Sequence, residues 1–327
     1  MSPVVARRIA WSLVGVLAGL ALVLALPERT TTSAPRAAAT PAKPADAAMT
    51  HRATIDAGSS GSATPIAAGP GPLDAATLAL EQGGDLHALA RQLLPRAEAG
   101  ETEAQYSLAI ITRECASELK RYADRVELDA FLETVPRRTG IDPEHYAALQ
   151  RSRFEACDGF RADPLELYAA DPPWLERAAA AGHPLAALEL ALQQSPPGVA
   201  RDADALRTAA RAALASGRPE AYMLLLELEF PDEESPAARD ATPNAIAWWL
   251  LACERGYPCG PEVRWRREQL AFRGGQRGDL GWEDALLFEL PAHEREQARE
   301  RATELARALA AGELETLLPL ALREPRP

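Results

Sequence analysis

Four cysteines are the residues of this sequence whose type and spacing carry the clearest chemistry. They are Cys115, Cys157, Cys253 and Cys259. An even number of cysteines in an exported chain favours disulfides, and four cysteines allow three connectivities. Proximity along the chain favours Cys253–Cys259 and Cys115–Cys157. The alternatives are four buried free thiols, or a metal site, which would need a Cys-x-x-Cys or a nearby histidine pair that the sequence lacks.

The other reactive residue types do not form a catalytic pattern. The histidines are far apart along the chain, and the segment HEREQ at His293 lacks the second histidine of a zinc protease helix. The glycine-rich segment 274–278 lacks the Lys-Ser/Thr of a phosphate-binding loop. We therefore predict no catalytic residue, no metal and no cofactor. An enzyme that uses two carboxylates across a cleft to act on cell-wall glycans is kept as an alternative.

An apolar segment near the N-terminus predicts export. Arg7 and Arg8 precede Ile9 to Leu26, a run whose length reaches the lower range for crossing a bilayer. The flanking arginines place the N-terminus in the cytoplasm and the rest of the chain outside it. We predict that residues 1–26 are an uncleaved inner-membrane anchor. A cleavable signal peptide, cut after Val23-Leu24-Ala25, is the alternative and also exports the chain.

Residues 27–72 are rich in Pro, Ala, Thr and Ser and predict a disordered tether, because this composition cannot build a core. The chain as a whole has a formal net charge of −12. Such a charge repels nucleic acid and anionic lipid surfaces, so neither is predicted as the main partner of the folded part.

The folded part, 73–327, is organised around Trp174 to Leu192, which predicts two helices joined at Gly182. Apolar residues recur at helical spacing on both sides of the glycine. Asp171 is a candidate N-cap, and Pro172 suits the first helical position. Gly182 is expected at positive φ, as is common for a glycine that ends a helix. An isolated pair of this kind buries too little surface, so similar neighbours are needed.

Similar segments surround three further glycines, Gly100, Gly217 and Gly256. The first interval between the glycines is about twice the later ones, which leaves room for an insert at 113–165. The matching positions are Trp174, Leu175, Arg177, Ala178, Ala179 and Gly182; Trp248, Trp249, Ala252, Cys253 and Gly256; and Ala104, Gln105, Tyr106, Leu108 and Ala109.

On these residues the chain resembles the Sel1-like repeat family, which is related to tetratricopeptide repeats. The resemblance implies an all-α fold, an α/α solenoid of helical hairpins, and a role as an adaptor. Some members carry a disulfide between the two helices of a repeat, which Cys253 and Cys259 would match with a shorter gap. A generic alanine-rich helical bundle is the alternative.

The rest of the domain predicts helices that frame these hairpins. The insert is expected to hold helices near 124–134 and 142–158, the second capped by Asp142. Residues 281–327 predict C-terminal cap helices. The tryptophans at repeat positions are interpreted as core. An acidic cluster is interpreted as a solvated surface, with a partner-binding patch as the alternative; it comprises Glu227, Glu229, Asp232, Glu233 and Glu234.

Together these patterns predict a membrane-tethered periplasmic scaffold for protein–protein interaction. Its expected partners are another envelope protein or a peptide, with the inner membrane bound through the N-terminal helix and no nucleic acid. A concave surface of first helices would grip the partner. The third hypothesis is an envelope assembly factor in which the insert, 113–165, does the binding.

Overall fold

A computed structural model describes residues 71–135, 142–165, 173–193, 203–226, 241–273, 280–288 and 290–318. This part is helical throughout and contains no strand, which confirms the predicted all-α class. It lies within one compact unit, Gly61–Pro327. None of its helices is long and apolar enough to cross a membrane. The predicted anchor, 1–26, and nearly all of the predicted tether lie outside the described residues.

The helices are described in chain order. They are α1 (Ala75–Gln82), α2 (Leu86–Glu98), α3 (Thr102–Arg121), α4 (Arg125–Thr134), α5 (Pro143–Ala162), α6 (Trp174–Ala180), α7 (Pro184–Gln193), α8 (Ala203–Ala215), α9 (Pro219–Leu226), α10 (Ala241–Glu254), α11 (Arg264–Arg273), α12 (Trp282–Leu287), α13 (Ala292–Ala311) and α14 (Leu314–Leu317).

Aspartates cap four of the first five described helices, α1, α2, α4 and α5. The carboxylates of Asp74, Asp85, Asp124 and Asp142 each accept backbone N–H groups of the first turn that follows. Each therefore satisfies donors that have no partner inside the helix, which contributes about 1 kcal/mol per cap. The predicted cap at Asp142 is confirmed.

The central hairpin is formed by α6 and α7, and Gly182 has a φ of +86°. The N–H of Gly182 donates to Ala179, and the N–H of His183 donates to Ala178. This is the hydrogen-bond pattern of a Schellman turn, which satisfies the last carbonyls of α6. Gly100, Gly217 and Gly256 also have positive φ, so all four predicted turn glycines share this conformation.

The predicted start of α6 is wrong. The helix begins at Trp174, and Pro173 occupies its N-cap position without a side-chain cap. The predicted cap, Asp171, and Pro172 both lie outside the described residues. Pro173 explains the later start, because a residue that precedes a proline is disfavoured in helical conformation. Pro172 is therefore a poor first residue of this helix.

Successive hairpins pack against one another through their neighbouring helices. In chain order, α3 packs on α6, α7 packs on α8, and α9 packs on α10. After these, α13 packs along α10, and α14 contacts both α13 and α8. One apolar cluster runs through the hairpins and includes Trp174, Leu188, Ala210 and Trp248. Most of the apolar core therefore lies between neighbouring hairpins, and not inside any single hairpin.

The helix α11 returns to the N-terminal half of the domain. In a simple line of hairpins each unit would contact only its neighbours. Here α11 packs along α5 and also contacts α1. The helix α5 packs in turn against α2 and α3. Through α5, the predicted insert, 113–165, is thus part of the main body of the domain. The helix α4 packs mainly on α5.

Candidate functional site

The residue that follows the turn glycine carries a polar group into the interior in three hairpins. These segments are Gly182-His183-Pro184, Gly217-Arg218-Pro219 and Gly256-Tyr257-Pro258. His183 is 2% exposed and Arg218 is 5% exposed. The hydroxyl of Tyr257 donates to Oε1 of Glu81 at 2.9 Å, and burial raises the pKa of this tyrosine. This repeated position could have been read from the sequence as a Gly-X-Pro pattern.

His183 and Arg218 meet at one carboxylate, that of Glu103 on α3. Oε2 of Glu103 lies 3.3 Å from Nε2 of His183 and 2.6 Å from NH1 of Arg218. Nδ1 of His183 accepts the N–H of Ala186 at 3.2 Å, which assigns the ring proton to Nε2. The hydrogen bond from His183 and the charge of Arg218 together lower the pKa of Glu103 to about 2, against the opposing effect of burial.

A second pair of carboxylates extends this cluster to the start of the domain. The N–H of Asp74 donates to Oε1 of Glu220 at 2.5 Å, and the hydroxyl of Ser107 donates to Oδ2 of Asp74 at 2.5 Å. Arg218 lies 3.6 Å from the same Glu220 oxygen. The other oxygen of Glu220 is buried without a partner among the described residues. Burial raises the pKa of Glu220, because the ionised form loses its water.

Tyr106 connects the cluster to α7. Its ring stacks on that of His183 with 4.3 Å between centroids, and its hydroxyl donates to Oε2 of Glu189 at 3.4 Å. Arg113 forms an ion pair with the same glutamate. Burial raises the pKa of Tyr106. The cluster therefore joins α1, α3, α7 and the turns before α7 and α9, and its members hold these elements in register.

The structure joins the cysteines in two disulfides, Cys115–Cys157 and Cys253–Cys259, with Cα–Cα distances of 5.4 and 5.7 Å. This is the pairing that proximity along the chain favours. The first bond ties α3 to α5, and the second ties the end of α10 to the loop before α11. The described residues contain no group of three His, Cys, Asp or Glu side chains that could hold a metal ion.

A cleft lined by both charged and apolar side chains lies where α1, α3, α5 and α11 meet. Its charged lining comprises Arg153, Arg264, Arg267, Glu114 and Glu118. Leu86, Leu149 and Cys157 supply part of its apolar wall. The space open to the centre of a water molecule is about 20 Å³, a little more than one ordered water requires. This cleft could not be predicted from the sequence, because charged residues at these helical spacings ordinarily indicate a solvated surface.

The helix α4 exposes apolar side chains. Val126 is 76% exposed and Phe131 is 39% exposed. Leu128, one turn from Phe131, is buried in a small cluster with Tyr122 and Phe154, separate from the main core, and the ring of Phe131 lies 5.4 Å from that of Tyr122. The helix is held by this cluster and by ion pairs with α5, and Val126 is its most exposed apolar residue. Isolated exposed apolar residues are common on protein surfaces, so this surface becomes a candidate only through its place in the predicted insert.

The tryptophans at repeat positions lie in or against the core. Trp174 and Trp248 are buried, and Trp249 is partly buried and packs against the main cluster. The side chain of Trp265 and the acidic cluster at 227–234 lie outside the described residues. Of the remaining histidines, Nε2 of His87 lies 3.0 Å from the carbonyl of Asp163, and Nδ1 of His145 lies 3.2 Å from its cap, Asp142.

The chain matches no family model, and neither the curated proteins nor the solved structures contain a protein that it matches significantly.

Proposed function

We propose that this chain is a membrane-tethered periplasmic scaffold that mediates protein–protein interaction through an α/α solenoid of helical hairpins. The observation that carries the proposal is the packing of successive hairpins. Four turn glycines with positive φ set similar bends, and α3 packs on α6, α7 on α8 and α9 on α10. Arrays of this kind present extended surfaces to peptides and protein partners.

The disulfides and the N-terminal sequence support the proposed compartment. Disulfides persist in oxidising compartments such as the bacterial periplasm. In the proposed arrangement residues 1–26 anchor the chain in the inner membrane, and the tether that follows holds the domain away from it. The Sel1-like resemblance supports the adaptor role, and the net charge of −12 argues against a nucleic-acid partner.

The experiment is cross-linking of the full chain in its host membrane fraction, followed by purification and mass spectrometry. The scaffold proposal expects a defined protein partner whose cross-links map to one surface of the hairpin stack. A charge reversal at that surface should abolish the cross-links without lowering the melting temperature. Cross-links spread evenly over the domain, or unchanged by such variants, would contradict the proposal.

A second candidate function places binding in the insert, as in an envelope assembly factor. The exposure of Val126 and Phe131 on α4, a helix that packs mainly on α5 and lies outside the main core, favours this function. The double variant Val126→Asp, Phe131→Asp should abolish the partner cross-links while the domain stays folded. Glu300→Ser, an exposed change on α13, is the control and should leave them intact. Retention of the cross-links in the double variant would assign binding to the hairpins.

A further inference from the structure

Charged residues interrupt the apolar contact between the facing sides of α5 and α11. On α5 the cleft is lined by Leu149, Ser152, Arg153 and Ala156, which follow one helical face. On α11 it is lined by Arg264 and Arg267, one turn apart. Guanidinium groups in a seam between packed helices lose part of their hydration, so they need acceptors or counter-charges.

Carboxylates satisfy only part of this requirement. NH1 of Arg264 donates to Oε2 of Glu114 at 2.9 Å, and its Nε donates to Oε1 of Glu268 at 3.2 Å. NH2 of Arg153 lies 3.2 Å from the same Glu268 oxygen, so two cations share one acceptor atom. Burial, followed by the nearby cation of Arg264, lowers the pKa of Arg153. Arg153 and Arg264 together face two carboxylates, so their charges balance, but Arg153 shares its one acceptor atom with Arg264.

Arg267 has no carboxylate within ion-pairing distance among the described residues. NH1 donates to the hydroxyl oxygen of Ser152 at 3.2 Å, and NH2 donates to the carbonyl of Glu81 at 3.5 Å. Its Nε is buried and has no acceptor in the part of the chain that the structure describes. A Cβ at Gly83 would lie 3.3 Å from both terminal nitrogens, so the guanidinium is held closely against the backbone. The guanidinium group of Arg267 is thus held in one position and keeps one N–H donor that has no acceptor among the described residues.

We propose that this cleft binds a small inorganic oxyanion of the phosphate or sulfate class. Arg153 and Arg267 supply the charge, and the hydroxyl of Ser152 supplies a further donor. Arginine forks suit such anions because they present parallel N–H groups to neighbouring oxygens. The cleft opens to solvent, and its limited interior space fits a small ion better than an organic ligand. The site is independent of the scaffold role.

Two glutamates of α3 oppose the anion. Glu114 is already paired with Arg264, and Oε1 of Glu118 lies 3.2 Å from NH1 of Arg121. Oε2 of Glu118 is buried without a partner in the described part of the chain. A single water that bridges Glu118 and Arg267 is therefore the competing occupant. A water would satisfy both atoms but would leave the charge of Arg267 without a carboxylate within ion-pairing distance among the described residues, which favours the anion.

The test is titration of the purified full chain with inorganic phosphate at constant ionic strength, followed by calorimetry and by the phosphorus NMR line width. The expected result is saturable binding of one phosphate per chain, competed by sulfate. Arg267→Gln should weaken it roughly tenfold or more, the usual effect of losing a charged hydrogen bond. Arg299→Gln is the matched control, because Arg299 pairs with Glu283 on α12 and lies outside the cleft.

A second variant separates the anion from the water. Glu118→Gln removes a negative charge from the lining and should tighten phosphate binding, whereas Arg267→Gln weakens it. This variant keeps every arginine, so it also tests the site if Arg267→Gln fails to fold. Absence of saturable binding to the parent chain would assign the cleft to ordered water. Equal affinities for the parent, Glu118→Gln and Arg299→Gln would place any bound phosphate elsewhere. Either result overturns the proposal.

Discussion

Asp74 and Glu220 are joined directly, since the N–H of Asp74 donates to Oε1 of Glu220 at 2.5 Å across 146 residues of sequence. Three residues earlier, the N–H of Gly71 donates to the carbonyl of Gly217 at 2.9 Å. The segment from Gly71 to Asp74 is therefore fastened to the turn between α8 and α9. It belongs to the folded domain although its composition continues that of the tether.

A truncated chain tests this boundary. Residues 71–327 should express as a soluble, strongly helical protein, because this range contains the described core of the hairpins. Residues 76–327 lack the α1 cap and the bonds to Glu220 and Gly217, and should be less stable by at least about 1 kcal/mol. Urea unfolding followed by circular dichroism compares the two. Substantial β content, or equal stability, would contradict the prediction.

The two disulfides should be present in protein purified from the periplasm. Mass spectrometry of a non-reduced digest should find Cys115 linked to Cys157 and Cys253 linked to Cys259. Four alkylatable thiols in denaturant would refute both bonds and weaken the compartment argument.

The two bonds should differ in their effect on stability, because they close loops of different length. Cys115 and Cys157 are 42 residues apart, whereas Cys253 and Cys259 are 6 apart. Chain entropy then predicts losses of about 4 and about 2 kcal/mol for the two double Cys→Ser variants. Urea unfolding of each variant checks the order, and a larger loss from the shorter loop would contradict it.

Gly182→Val should destabilise the domain through the backbone alone. A Cβ at Gly182 would meet no atom within 4 Å, so crowding does not contribute. Its φ of +86° strains a β-branched residue, at a cost of about 1–3 kcal/mol. Gly281→Val is the control, because that position is equally open but has a φ of −57°.

Melting temperatures of the two glycine variants and the parent decide the point. Gly182→Asn should lie between Gly182→Val and the parent, since asparagine tolerates positive φ better than valine. Equal melting temperatures for all the variants would contradict the prediction that the turn at Gly182 contributes to the stability of the domain.

Glu103 and Glu220 should give opposite pH dependences of stability. The pKa of Glu103 is held at about 2, below its ordinary 4.5, so its contribution is present at neutral pH and is lost as the pH falls through that range. The pKa of Glu220 is raised, so its ionised form destabilises the fold at neutral pH, and protonation on acidification relieves this effect.

The corresponding variants are Glu103→Gln and Glu220→Gln. Relative to the parent, the first should lose stability near neutral pH and converge with it in acid. The second should gain relative stability as the pH rises from the ordinary glutamate pKa to the raised pKa of the folded state, and should keep that gain above it. Urea unfolding at a series of pH values measures both, with Glu300→Gln as an exposed control. Parallel profiles for the three variants would show that the buried cluster does not titrate as its geometry predicts.

Local features of the fold could be predicted from the sequence because their causes are local. Asp85 and Asp142 cap helices through their own side chains, and Gly182 and Gly256 end helices by adopting positive φ. The exception is the start of α6, where two adjacent prolines exclude the predicted cap. The predicted C-terminal helices within 281–327 are also present, the longest of them at Ala292–Ala311.

The candidate sites could not be predicted because they depend on contacts between distant segments. Arg153 and Arg264 lie on different helices, and only the packing of α11 along α5 brings them to one Glu268 oxygen. His183 meets Arg218 because consecutive turns are stacked. Neither contact can be predicted from the spacing of residues along the sequence, because charged residues on a helix ordinarily indicate a solvated face.

The return of α11 to α5 and α1 has a consequence for how this domain can evolve. A linear array can gain or lose a hairpin by duplication or deletion, because the ends are free and each new unit needs only its neighbours. In this chain an added hairpin between α6 and α10 would displace α11 from the arginine-lined cleft and would separate Gly71 from Gly217. Relatives of this domain should therefore keep the same number of hairpins and vary in length only in their loops and in α4.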